Sequence, residues 1–157
     1  MPRLHETITT RLPLDETFAF IADFANSARW DPGTASSERA DDRPPGPGAT
    51  YRLGVRMGKR VAPMEYRITG WEPPTRVVLH GQGSGVDATD DIRFAATPDG
   101  TVVDYTADIR LTGWRRLLEP FAGGAFERLA ANAAAGMREA LEARSASGAT
   151  DAAGPAR

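Results

Sequence analysis

Two aspartates stand side by side at positions 90 and 91 of the 157-residue chain, inside "VDATDDIRFAAT". Side chains alternate across a strand, so a strand here sends one carboxylate to each face. Ile92 and Phe94 share the parity of Asp90, which makes Asp90 the inward one. Desolvation raises the pKa of a carboxylate facing an apolar interior, and this is how a general acid or base is tuned toward neutrality. A bulge or strand end near "GVDATDD" would instead leave both groups in water. His80, in "RVVLHGQGS", is the histidine that could serve as a base, but its strand is apolar on both parities. If Val78, His80 and Gln82 turn inward, His80 joins Asp90; if Val77 and Leu79 do, His80 lies on the convex surface. All three tyrosines, Tyr51, Tyr66 and Tyr105, fall on inward parity. A buried phenol needs a hydrogen-bond partner, which is either a ligand carbonyl or a neighbouring group of the core. His80, Asp90, Tyr66 and Tyr105 are thus the candidate catalytic set, for proton transfer without a covalent nucleophile.

Other chemistries find little support. The chain has no cysteine, hence no disulfide, thiolate or zinc–thiolate site, and two histidines give little for a metal. No metal and no cofactor are expected. No serine and histidine form a recognisable nucleophile elbow. "GQGSG" leads into a strand rather than a helix, so it reads as a hairpin and not a phosphate cradle. A net charge of −2 provides no field for nucleic acid. No apolar run reaches the ~20 residues of a membrane helix. The N-terminus lacks a signal-like apolar stretch, so a cytoplasmic monomer or homodimer is the expectation.

The elements that must position these residues follow from periodicity. "RLHETITTRL" alternates as a half-buried first strand, and Phe18, Ile21 and Ala22 then repeat at helical spacing. A second helical turn over Asn26 to Trp30 stops at "DPG". From Thr34 to Thr112 the text reads as about six strands, interrupted by the loop "DDRPPGPG" and the hairpin signal "PDG". The inward sets supply Tyr51, Val55, Met57, Met64, Tyr66, Ile92, Phe94, Tyr105 and Ile109. "GWRRLLEPFAGG" reads as a short helical or lid-like segment, broken by Pro120 and Gly123–Gly124. "AFERLAANAAAGMREALEAR" carries one apolar stripe, and its length and stripe suit it to cover the sheet. "SASGATDAAGPAR" lacks periodicity, which places a domain at 1–144 and a disordered tail at 145–157.

This order resembles the helix-grip superfamily, which includes START domains, the birch-pollen allergen type and bacterial polyketide cyclase/dehydrase-like proteins. "TTRLPLDETFAFIADFANSARWDPG", "ITGWEPPTRVVL", "PDGTVVDYTADIRLTG" and the final helix carry the resemblance. It implies an α+β fold of about seven antiparallel strands, β-α-α-β6-α, curved around the C-terminal helix over an apolar cavity. Relatives bind lipids, sterols, hormones or polyketides in such a cavity. In that frame Leu117, Phe121, Phe126, Leu129 and Met137 join the lining, and Trp30 sits at the cavity's end, as plug or as ligand contact. Three functions are carried forward. The first is binding of a hydrophobic or aromatic small molecule. The second is a polyketide aromatase/cyclase or dehydratase, and the third is a protein-interaction module with a vestigial cavity. No large exposed apolar patch is evident to favour the third.

Overall fold

Alternating parity from residue 50 to 111 produces five consecutive antiparallel strands. These are β3 (Thr50–Met57), β4 (Arg60–Glu72), β5 (Arg76–Gly83), β6 (Val86–Thr97) and β7 (Gly100–Leu111). The computed structural model describes residues 3–152. Strand β1 (Arg3–Thr10) returns to pair with β7, and β2 (Thr34–Arg39) pairs with β3. The seven-stranded sheet runs β1-β7-β6-β5-β4-β3-β2. Register breaks at Thr34/Ser36 and Ile68/Gly70 mark bulges, which bend a strand and increase its twist. Edge strand β2 is short and polar, which keeps it from templating further strands.

Helices α1 (Leu14–Ala22) and α2 (Ser27–Trp30), joined by a 3-10 turn at Phe24–Asn26, cross from β1 to β2. Fully buried Thr17 and Thr101 both donate to the Leu12 carbonyl, at 3.2 and 2.8 Å, and tie α1 to β7. Phe18 meets Phe94 and Trp71 edge-on, with ring centroids 5.2 and 5.1 Å away. That cluster closes one end of the curled sheet.

Helix α3 (Glu119–Ala152) packs on β1, β7 and α2, giving the helix-grip arrangement. Its buried face is Ala130, Ala133, Ala134, Met137 and Leu141, a helical stripe. Full burial of side chains such as Met137 and Leu141 contributes about 1.5–3 kcal/mol each. The stripe's small residues serve close approach. A Cβ on Gly136 would fall onto the carbonyl oxygen of Trp30 and the ring of Pro32. Two boundaries differ from expectation. Pro120 lies in the first turn of α3, where its missing N–H breaks no helical bond, so the helix runs through Gly123–Gly124. It also continues past Arg144 to Ala152, in keeping with the high helix propensity of alanine; residues 153–157 of the expected tail lie outside the described residues.

Candidate functional site

Between the concave sheet and α3 lies a cavity of about 110 Å³. Leu53 and Val55 of β3, Tyr66 of β4, Ala88 and Asp90 of β6, and Tyr105, Ala107 and Ile109 of β7 form its floor. Leu129 and Ala130 of α3 cover it, Leu4 of β1 borders it, and Phe24, Ser27, Trp30, Asp31, Gly33 and Thr34 form the end wall. Tyr66 reaches inward because its cross-strand partner is Gly81: any Cβ there would strike the phenol ring.

Asp90 and Asp91 split as alternation requires, and their chemistry diverges. Asp91 faces out and receives two hydrogen bonds from the Arg76 guanidinium, at 3.1 and 2.9 Å, which hold its pKa below the usual carboxylate value. Asp90 is 5 % exposed, and burial pushes its pKa up to about 7. The negative charge of Asp31 raises it further, while a 3.0 Å hydrogen bond from the Tyr105 hydroxyl pulls it back. Burial and the Asp90 carboxylate push the phenols of Tyr66 and Tyr105 well above their ordinary value. Both therefore remain donors at any physiological pH.

The end wall is built by "RWDPG". Asp31 accepts from the backbone N–H of Gly33 at 2.8 Å and from the Thr34 hydroxyl at 2.9 Å, which closes the turn after α2. Its own pKa is raised, with burial the leading cause. Trp30 is 3 % exposed and stands edge-on to Phe24 and Tyr105, at centroid distances of 6.0 and 6.3 Å. Among the described residues its Nε1–H has no hydrogen-bond partner, and neither has Oγ of the similarly buried Ser27. Tyr51 Oη and Asp108 Oδ1, away from the cavity, are likewise buried without a partner among the described residues. Trp30 is both plug and lining. A wider groove at the other end of β1 and α3, lined by Thr9, Arg11, Thr97, Asp99 and Glu142, is polar and lacks such groups.

Residues 1–142 match the family described as "Polyketide cyclase / dehydrase and lipid transport". The chain belongs to that family. Solved structures agree on the fold. TTHA0849 from Thermus thermophilus superposes with a TM-score of 0.71 at 14% identity, over 89% of this chain and 95% of that one. A START superfamily protein from Mycobacterium smegmatis gives 0.68 at 17% identity, over 90% and 95%. The di-domain ARO/CYC BexL of the BE-7585A biosynthetic pathway gives 0.65 at 17% identity, over 90% of this chain and 45% of that one. No curated protein matches the sequence significantly.

Within this polyketide cyclase/dehydrase and lipid transport fold, the expected site residues divide. Asp90, Tyr66, Tyr105, Trp30, Val55, Ile109 and Leu129 meet in the cavity. His80 does not: Val77 and Leu79 face in, while His80 lies on the convex side, 3.0 Å from Asp87. Tyr51, Met64, Ile92, Phe94 and Met137 are buried in the core outside the lining, the Tyr51 ring tilted against Phe24. Met57 is half-buried near the end of β3, and Phe126 is half-buried on α3. Leu117 and Phe121 are 79% and 87% exposed, because the turn at Gly113–Leu118 and the start of α3 lie off the sheet. With Trp114 and Leu118 they form an exposed apolar run, contrary to the expectation of none. Conversely, strand parity does not single out Asp31 or Ser27, and Asp31 reads as a turn former; its place beside Trp30 in "RWDPG" is the available signal.

Proposed function

We propose that the chain binds a small, mostly apolar molecule between the sheet and α3, and holds its polar group against Asp90 and Tyr105. The observation that carries this reading is the buried Asp90–Tyr105 pair within a mostly apolar lining. An apolar pocket with a few convergent polar groups is the general form of a small-molecule site. The cavity's 110 Å³ amounts to roughly four waters at ~30 Å³ each. It therefore suits a single ring or branched chain, and a fused-ring ligand would have to extend past Leu129 on the rim. Native mass spectrometry tests the reading directly. A retained or added small molecule should be lost when Ala107→Phe fills the cavity. Failure of the wild-type chain to take up any of a panel of small alcohols and phenols would overturn the proposal.

One observation favours a second reading, acid–base catalysis of the cyclase or dehydratase kind. Asp90 titrates near neutrality while hydrogen-bonded to a protonated phenol. As a base it would remove a proton alpha to a carbonyl whose oxygen Tyr66 or Trp30 stabilises. Asp90→Asn should then slow turnover of a small β-keto substrate by about 100-fold or more. An unchanged rate removes the assignment.

A further inference from the structure

The cavity wall holds two carboxylates, Asp31 and Asp90, and four aromatic rings, Phe24, Trp30, Tyr66 and Tyr105. Among the described residues that line it there is no arginine, lysine or histidine. Arg56 is the cation that acts on Asp31, but it is exposed and donates to the Pro32 carbonyl at 2.7 Å. Asp90 accepts from Tyr105 with one oxygen, and its second oxygen accepts no hydrogen bond among the described residues. Ser27 Oγ, on a residue 1 % exposed, is a further unused acceptor on the same wall. A neutral guest would leave Asp90 without a counter-charge, the cation beside Asp31 being Arg56. An ammonium group would supply one and give an N–H donor to the free Asp90 oxygen, within a wall that holds four aromatic rings.

We infer that the cavity selects a ligand with a positively charged nitrogen, a protonated amine on a small apolar body. This rests on the small-molecule reading above and names its ligand class. Among the described residues, the groups facing Asp90 are Asp31 from the α2–β2 turn, Tyr66 from β4 and Tyr105 from β7; α3 contributes Leu129 and Ala130, and β1 Leu4. None supplies positive charge. The raised proton affinity of Asp90 agrees: burial without a neighbouring cation favours its protonated form.

Isobutylammonium and isobutanol share a skeleton and differ in the charged head, so they isolate the charge. Titration of each into the full chain, followed by the Trp30 indole N–H resonance near pH 8, should give at least about tenfold tighter binding of the ammonium. Any smaller ratio overturns the inference. If isobutanol binds while the ratio is small, the small-molecule reading stands alone; if neither binds, both fall. Asp90→Asn should cost the ammonium about tenfold, and an unchanged ammonium affinity in that variant overturns the inference. Should that variant fail to fold, the wild-type profile decides. Ammonium affinity rises from about pH 5.5 to about pH 8 as Asp90 ionises, whereas isobutanol affinity stays flat or falls. A flat ammonium profile contradicts the inference.

Discussion

Asp90→Asn tests the electrostatics of the site through stability alone, without a ligand. Burial carries the Asp90 pKa from 3.8 to about 7. Below about pH 4 the carboxyl is protonated whether the chain is folded or not, and there is no penalty. Between about pH 4 and pH 7 the unfolded chain releases its proton while the folded chain keeps it. The folded state then binds more protons, so stability falls as pH rises, and the loss is complete above about pH 7. A tenfold change in proton affinity is about 1.4 kcal/mol, which sets a ceiling of about 4 kcal/mol for this carboxyl. Asparagine keeps an oxygen for the Tyr105 hydroxyl and removes the charge. Urea denaturation of both chains across this range should show the variant gaining on the wild type as pH rises. The gain should level off above neutrality at about 2–4 kcal/mol. Asp31 gives a slope of the same sign but is present in both chains, so the difference isolates Asp90. A difference independent of pH, or a variant losing ground as pH rises, would refute the reasoning.

Three further outcomes follow from the packing. Gly136→Ala should lower stability by about 1–3 kcal/mol in thermal melts, because the Cβ lands on the Trp30 carbonyl; helix propensity alone would raise it by about 1 kcal/mol. A gain would mean that α3 stands further off. His80→Ala should leave ligand affinity unchanged and cost no more than about 1 kcal/mol of stability, since its partner Asp87 is on the convex face. A tenfold loss of affinity would place His80 at the site after all. Leu117→Ser and Phe121→Ser should each shift stability by less than about 0.5 kcal/mol by urea denaturation, and a larger loss would show these side chains to be covered.

How legible the site was depended on how clean each strand's pattern is. In β6 and β7 polar residues alternate with apolar ones, so the inward turn of Asp90, Tyr105 and Ile109 could be read from parity. In β5 Val77, Val78 and Leu79 are apolar on both parities, and only the neighbouring strands decide that His80 turns out. Parity also cannot separate core from cavity. Ile92 and Phe94 lie on the same strand face as Asp90 but sit under α1, where Phe18 fills the space. The Leu117–Phe121 segment misleads because its apolar residues imply a surface to cover, and α3 begins beyond the sheet's edge. The contact of Gly136 with Trp30 depends on how two helices approach, which no local pattern records.

The central claim is that Trp30 faces an occupiable cavity beside Asp90 and Tyr105. The chain has three tryptophans, and they sample three environments: Trp30 in the cavity wall, Trp71 against Phe18, and Trp114 at 71% exposure. Their indole N–H resonances, followed while a small amine or alcohol is added, report on each place separately. A saturable shift of the Trp30 signal is expected, abolished by Ala107→Phe, with Trp71 and Trp114 unmoved. A Trp30 signal that never shifts, or a saturable shift at Trp114 instead, would contradict that claim.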